Sequence, residues 1–114
     1  MNKGVRVVVY PVKDVAAAAA LYTKLLGIEP YAAAPYYVGF RIDGQEIGLD
    51  PNGFSKGQTG PLAYYEVDDV KAALQSLVAA GAEIKQDPTD VGGGKLIAQA
   101  NDPDGNIIGL SQAS

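Results

Sequence analysis

The sequence contains neither cysteine nor histidine, and these two absences restrict the chemistry that the chain can perform. Without cysteine there is no disulfide framework from which a redox compartment could be inferred. Without histidine the chain lacks the side chain whose ordinary pKa lies near neutrality and which most often serves as a general base or a metal ligand. Catalytic triads and zinc sites built on these two residue types are therefore excluded.

Long apolar runs and clusters of positive charge are also lacking. No apolar stretch approaches the ~20 residues that a membrane-spanning helix needs, and no charged-then-apolar leader opens the sequence. The nine Lys and Arg residues are scattered and the net charge is −4, whereas nucleic-acid-binding domains usually carry a basic face. We therefore expect a soluble, cytoplasmic protein that binds neither nucleic acid nor membranes.

The length and composition are those of one globular domain. With 114 residues, of which 47% are hydrophobic and 19% charged, the chain is long enough for one hydrophobic core and too short for two separate ones. A chain of this length buries roughly two-thirds of its unfolded surface, so it needs neither a metal nor a disulfide to fold. We expect a single domain over residues 1–114.

Two internal repeats divide this domain into halves. The segment 43–49 (DGQEIGL) returns almost unchanged as 104–110 (DGNIIGL), and 12–15 (VKDV) is similar to 67–70 (VDDV). The two repeats occur in the same order in each half. The sequence therefore predicts a duplicated module.

Each module is predicted to contain a strand, a helix and three further strands. Alternating apolar residues indicate the strands, an aspartate before each helix is a suitable N-cap, and a glycine follows each helix. In module one, about 1–52, the elements are strand Gly4–Pro11, helix Val15–Leu26 between Asp14 and Gly27, the extended segment 28–34, and strands Tyr36–Ile42 and Gln45–Asp50 around an Asp43-Gly44 turn. In module two, about 60–114, they are strand Leu62–Val67, a helix from Asp69 to Gly81, and strands Ala82–Gln86, Lys95–Asn101 and Asn106–Gln112.

This repeated βαβββ plan resembles the vicinal oxygen chelate superfamily, which includes glyoxalase I, fosfomycin resistance enzymes, extradiol dioxygenases and bleomycin resistance proteins. The resemblance implies an α+β fold in which two tandem βαβββ modules form a curved, cup-shaped mixed sheet with the helices on its convex face. It covers essentially the whole chain and is specific to the fold rather than to an activity. It rests on Val12–Val15 leading to Leu25-Leu26-Gly27, on Val67–Val70 leading to Ala79-Ala80-Gly81, and on the end signature 102–110 (DPDGNIIGL).

The resemblance also indicates where a metal would bind in an enzyme of this family. Its metal enzymes often carry His or Gln on the first strand of each module and Glu in the middle of each I-x-L element. Here these positions hold Val7, Leu62, Gly48 and Gly109, none of which offers a ligating side chain. We therefore expect no metal and no cofactor.

Strand alternation predicts which side chains face the cup instead. Aromatic walls with a few polar groups suit a flat or amphipathic organic ligand. Glycine at positions 48 and 109 is expected to leave room for a larger guest. The predicted ligand-binding residues are Tyr37, Arg41, Glu46, Gly48, Tyr64, Gln99, Gly109 and Ser111.

Each of these residues also has a structural interpretation. Arg41 and Glu46 face each other across the Asp43-Gly44 turn, so a cross-strand ion pair explains both. Tyr37 and Tyr64 would cover the sheet, because aromatic residues are favoured in strands. Three further aromatic residues near loops are candidates for a pocket rim or a subunit contact: Tyr31, Tyr36 and Phe54.

Three functions are compatible with this sequence. The first is a metal-free protein of the bleomycin resistance type that binds a small aromatic or amphipathic organic molecule, such as an antibiotic, and forms a homodimer. The second is a lyase or isomerase related to glyoxalase I, with acid–base chemistry from Glu46, Asp50, Glu66 or a tyrosine; no catalytic residue is assigned. The third is an accessory module with a vestigial cup.

Overall fold

The computed structural model describes residues 2–113, so the two ends of the predicted domain, residues 1 and 114, lie outside the described part. The order of elements confirms the predicted α+β class with two successive βαβββ modules. The first module contains β1 (Asn2–Pro11), α1 (Val15–Leu26), β2 (Ala32–Ala34), β3 (Tyr37–Ile42) and β4 (Gln45–Asp50). The second contains β5 (Leu62–Val67), α2 (Val70–Ala79), β6 (Glu83–Asp90), β7 (Leu96–Asn101) and β8 (Ile107–Gln112).

The chain packs as two units, which we call the N-terminal and the C-terminal unit. The N-terminal unit comprises residues 7–62, and the C-terminal unit comprises residues 63–113 together with the start of β1, residues 2–6. Strand order is β2-β3-β4-β1 in the first and β5-β8-β7-β6 in the second. One neighbouring pair in each unit, β1 with β4 and β5 with β8, is parallel, whereas the other pairs are antiparallel.

Local capping explains why α1 has the bounds that the sequence predicts. The Asp14 carboxylate accepts a hydrogen bond from the Ala17 backbone N–H at 3.1 Å, which satisfies one of the free donors of the first turn. At the other end Gly27 adopts the left-handed conformation with φ 71°, and its N–H donates to the Thr23 carbonyl. Asp69 caps α2 in the same way, through the Ala72 N–H at 3.1 Å.

One face of the sheet in each unit packs against that unit's helix. In the N-terminal unit Val38, Phe40 and Leu49 are buried in contact with α1 residues, among them Tyr22. In the C-terminal unit the buried core around α2 contains Val67, Val70, Leu74, Ala98, Ala100 and Leu110. Because side chains alternate along a strand, the residues between these core positions lie on the opposite face.

The described strands depart from the prediction mainly at β6. It was expected over Ala82–Gln86 and instead runs over Glu83–Asp90, with irregular register against β7 on both sides of Gln86. The extension includes Pro88, which an edge strand tolerates because its N–H side does not need a partner. Within residues 2–113 neither helix is long and apolar enough to cross a bilayer.

Candidate functional site

The predicted site residues fall into two groups of four, one group in each unit. In the N-terminal unit β3 and β4 pair so that Gly39 lies opposite Gly48 and Arg41 opposite Glu46. Alternation then puts Tyr37 on the same face, away from the core residues Val38, Phe40 and Leu49. The face assignment made from the sequence is confirmed for the four predicted residues of this unit, which are Tyr37, Arg41, Glu46 and Gly48. Their role in ligand binding stays a prediction.

Glu46 is the centre of a hydrogen-bonded cluster. Its Oε2 accepts hydrogen bonds from the hydroxyl of Tyr31 at 2.7 Å and from that of Tyr37 at 2.9 Å. The Nε of Arg41 lies 3.9 Å from Oε1, and the Arg41 guanidinium carbon lies 3.9 Å from the centroid of the Tyr31 ring. The expected cross-strand ion pair is therefore present, but the two phenols are the closer partners of the carboxylate.

The two tyrosine rings of this cluster lie directly against glycines. A Cβ atom at Gly39 would lie 2.7 Å from Cε2 of Tyr31, and one at Gly48 would lie 2.8 Å from Cε1 of Tyr37 and collide with its hydroxyl. Only glycine lets the rings approach the backbone so closely. The expectation that Gly48 leaves room for a larger guest is therefore wrong for this structure, because the Tyr37 ring already fills that space.

Burial and the Glu46 carboxylate keep both phenols protonated. Desolvation, followed by the hydrogen bond to Glu46, raises the pKa of Tyr31 from 10.0 to about 12, although the charge of Arg41 opposes this rise. The pKa of Tyr37 is also raised, mainly by burial and then by the negative charge of Glu46. Both hydroxyls therefore remain hydrogen-bond donors well above neutral pH.

The four predicted residues of the C-terminal unit form an arrangement that contains no charged member. Gly109 lies opposite Tyr64 on one side and opposite Gln99 on the other. The Gln99 side-chain amide donates a hydrogen bond to the Tyr64 hydroxyl at 2.9 Å, and Ser111 is buried on the same face. A Cβ at Gly109 would lie 2.6 Å from Cδ1 of Tyr64, so here too a tyrosine ring fills the expected free space.

The positions that hold the metal in enzymes of the resembled family do not suit a metal here. Val7, Gly48, Leu62 and Gly109 offer no donor atoms on their side chains, and tyrosine rings lie over both glycines. In the described residues 2–113, His, Cys, Asp and Glu form no group of three or more that could hold a metal ion. The residues at these four positions therefore do not fit the metal that enzymes of the family carry, because they lack donor atoms and tyrosine rings occupy the space at two of them.

Tyr31 was expected at a rim or a subunit contact, and its place in the Glu46 cluster was missed. It reaches the cluster from the segment between α1 and β2, where its backbone N–H donates to the Gly39 carbonyl at 2.9 Å. The signal that could have found it is Gly39 itself, because a glycine inside a strand often marks the close approach of another group. Tyr36 and Phe54 are 69% and 46% exposed, and neither forms a hydrogen bond or a ring contact with the Glu46 cluster.

A groove of about 630 Å³ in the C-terminal unit was not predicted. It lies on the helix side of the sheet, and none of the eight predicted site residues lines it. Its lining includes Tyr65, Val67, Ala73, Leu77, Ile108 and Leu110.

Comparison with known proteins assigns the family. The model of the glyoxalase/bleomycin resistance protein/dioxygenase superfamily matches residues 4–110. The chain belongs to this superfamily. No curated protein sequence matches it.

Solved structures of this fold include enzymes and members named only by their family. A superfamily member from Vibrio splendidus 12B01 has 19% sequence identity and a TM-score of 0.71, with 98% of each chain covered. The Mn(II)-bound glyoxalase from Novosphingobium aromaticivorans has 22% identity and a TM-score of 0.75, with 98% of this chain and 40% of that chain covered. A Streptomyces coelicolor methylmalonyl-CoA epimerase variant in complex with 2-nitronate-propionyl-CoA has 14% identity and a TM-score of 0.80, with 100% and 96% covered. At these identities the likeness shows the fold alone.

Proposed function

We propose that this protein binds a small aromatic or amphipathic organic molecule without the help of a metal, in the manner of the bleomycin resistance proteins of its superfamily. An antibiotic is one candidate ligand. The binding surface is the face of the N-terminal unit that carries Tyr31, Tyr37, Arg41 and Glu46. The observation that carries this proposal is the convergence of two phenols and a guanidinium on one carboxylate.

This face combines the two properties that a small-molecule site needs. Aromatic rings supply apolar contact area, and a few fixed polar groups orient the guest. Tyr31 is 44% exposed, so part of its ring is available for contact, whereas the Glu46 side chain is only 19% exposed and its carboxylate is held in place by its partners. The equivalent face of the C-terminal unit, with Tyr64, Gln99, Gly109 and Ser111, is proposed as a second contact surface.

Binding without a metal is supported by the residues at the positions where metal enzymes of the superfamily carry their ligands. A cation would have to displace the Tyr37 ring from Gly48 and would meet no donor on Val7 or Leu62. Carboxylate, imidazole or amide donors are what hard and borderline cations require.

The test is a ligand titration of protein from which metals have been stripped by a chelator. A panel of aromatic and amphipathic compounds is added while the fluorescence and NMR resonances of the seven tyrosines are followed. We expect saturable binding that shifts Tyr31 and Tyr37, that is weakened by Glu46→Gln, and that is unchanged by the control Tyr36→Ala. Binding or turnover that appears only after Mn, Ni, Zn or Fe is added would contradict the proposal and favour the lyase or isomerase alternative.

A homodimer is also part of this proposal. Its support is a pair of apolar side chains one helical turn apart on α1, Leu21 and Leu25, which are 68% and 72% exposed in the single chain. Exposed apolar residues that lie together often mark a protein contact. Light scattering should give twice the chain mass, and Leu21→Glu should shift it to the mass of one chain.

A further inference from the structure

The side chain of Tyr31 lies in a slot that three groups of the same unit form. The ring lies against the backbone of Gly39, the guanidinium of Arg41 covers it at 3.9 Å, and its hydroxyl donates to Oε2 of Glu46 at 2.7 Å. We call these three residues, Gly39, Arg41 and Glu46, the aromatic slot.

Each wall of the aromatic slot recognises a different property of the ring. Gly39 has no side chain in the middle of β3, although glycine weakens a strand, and it thereby leaves a flat surface for a ring. The guanidinium of Arg41 is attracted to the face of an aromatic ring. The Glu46 carboxylate is a strong acceptor for a hydroxyl donor. The slot is therefore complementary to an aromatic ring that carries a hydrogen-bond donor.

Tyr31 is held in the slot less firmly than Tyr37 is held beside it. Tyr31 is 44% exposed and belongs to the segment between α1 and β2, whereas Tyr37 is half-buried and is the first residue of β3. The backbone of Tyr31 is fixed by its hydrogen bond to the Gly39 carbonyl. A rotation of the side chain alone would therefore empty the slot without moving the sheet.

We propose that Tyr31 is an internal stand-in for the ligand, and that the aromatic slot binds a phenol or an aromatic amine whose ring takes the place of the Tyr31 ring against Gly39 and under Arg41, with its O–H or N–H donating to Glu46. This inference rests on the proposed function and names the class of ligand.

The same geometry disfavours two other classes of aromatic compound. An aromatic carboxylate would bring a second negative charge to Glu46, and like charges at this distance repel. An aromatic ring without a donor would remove the Tyr31 hydroxyl from the carboxylate and put nothing in its place. Sites built to hydrogen-bond a donor discriminate strongly against analogues that lack it.

The experiment uses p-cresol, which is the tyrosine side chain as a free molecule, and 4-methylanisole, which has the same ring without the donor. Affinities are measured by NMR titration for the wild type, Tyr31→Ala and the control Tyr36→Ala. Removal of the internal competitor should strengthen p-cresol binding roughly tenfold in Tyr31→Ala. Tyr36→Ala should behave like the wild type, because Tyr36 is 69% exposed and forms no hydrogen bond or ring contact with Gly39, Arg41 or Glu46. In Tyr31→Ala, 4-methylanisole should bind about tenfold more weakly than p-cresol.

A second variant locates the bound ring. In the Tyr31→Ala background, Gly39→Ala places a methyl group where the ring is expected, so the gain in p-cresol affinity should be lost. In the wild type, contacts between the Tyr31 ring and the Gly39 Hα should disappear as contacts from p-cresol to the same proton appear. This measurement needs no variant and remains decisive if Tyr31→Ala does not fold.

Three results would overturn the inference: equal p-cresol affinity in the wild type and Tyr31→Ala, the same gain in Tyr36→Ala, or 4-methylanisole binding as tightly as p-cresol. The proposed function fails separately. A panel compound that shifts the resonances of Tyr31 and Tyr37 in the wild type, while the Tyr31 ring keeps its contacts with Gly39, would support that function even if p-cresol failed. Conversely, p-cresol binding in the slot of Tyr31→Ala alone, while neither p-cresol nor any panel compound bound the wild type, would sustain the chemistry of the slot and contradict the function.

Discussion

The N-terminal unit brings Tyr37 onto Gly48 from β3, an antiparallel neighbour, whereas the C-terminal unit brings Tyr64 onto Gly109 from β5, a parallel neighbour. The two glycines are equivalent in the repeat of 43–49 and 104–110. The rings that cover them are not equivalent, because they belong to different strands of their modules. A position without a side chain has thus been filled twice by the same residue type from different directions.

The chemistry around the two rings differs as well. The residue two positions before the glycine is Glu46 in the first repeat and Ile107 in the second. Consequently the phenols of the N-terminal unit donate to a carboxylate, while the Tyr64 hydroxyl accepts from the amide of Gln99. The two copies thus share a backbone pattern, but only the N-terminal one carries charged residues, Arg41 and Glu46, beside its tyrosines. We place the proposed ligand contact on the N-terminal unit for this reason.

The largest expected loss of stability comes from alanine substitution at the two glycines that tyrosine rings cover, and it should differ between them. Gly109→Ala should cost about 3 kcal/mol of unfolding free energy, because its Cβ would lie 2.7 Å from the Ala63 carbonyl oxygen and 2.8 Å from Cγ of Tyr64. Neither atom moves easily, since one is backbone and the other is close to it. Gly48→Ala should cost about 2 kcal/mol, since its Cβ meets the far end of Tyr37. Chemical denaturation measures both.

The matched control for these substitutions is Gly60→Ala, where nothing lies within 4 Å of the new Cβ. It should leave stability unchanged or raise it slightly, because alanine reduces the entropy of the unfolded chain. Equal losses at Gly109 and Gly48 would show that the origin of the covering ring does not matter.

Substitution of Glu46 and of Gln99, the side chains hydrogen-bonded to the tyrosines, compares the charged cluster of the N-terminal unit with the uncharged one of the C-terminal unit. Glu46→Ala should cost about 2 kcal/mol, because two phenols lose an ionised acceptor, and Gln99→Ala about 1 kcal/mol, because one neutral hydrogen bond is lost. Thermal and denaturant unfolding give both values. A larger loss for Gln99→Ala would contradict the view that the charged cluster is the more strongly bonded of the two.

The titration of Tyr31 tests the same cluster without a change in packing. The pKa of Tyr31 is raised from 10.0 to about 12 in the folded protein, so its contribution to stability is complete below pH 10 and is lost as the pH rises through about 12. In Glu46→Gln the pKa should move toward 10.0 but stay above it, because burial is the largest cause of the rise. The ¹³Cζ shift of labelled tyrosine reports it, and Gln99→Ala should leave it unchanged.

The smallest effect is expected at the hairpin turn between β7 and β8. The Asp102 carboxylate accepts hydrogen bonds from the side chain and backbone of Asn106 and from the Asp104 N–H. These bonds, the Asn106 side chain first, lower the pKa of Asp102 below 3.8. Asp102→Ala should therefore reduce the melting temperature slightly at pH 7, and the difference should shrink as the pH falls below 3.8.

Helix bounds and sheet faces could be predicted from the sequence because they depend on nearby residues. Asp14 and Gly27 determine the ends of α1, and period-two alternation correctly placed Arg41 and Glu46 on one face. The positions of the tyrosine rings could not be predicted. Whether Tyr31 reaches Gly39 depends on the path of a segment that contains no periodic pattern, and whether a glycine is open or covered depends on side chains distant in sequence.

We propose that the tyrosine-lined face of the N-terminal unit binds an organic guest directly, through a carboxylate and two phenols and without a metal. The most direct measurement is an NMR titration of chelator-treated wild type in which the ring resonances of Tyr31 and Tyr37 are followed. We expect saturable shifts of both rings with no metal present. Rings that stay unshifted until a divalent cation is supplied would contradict this proposal.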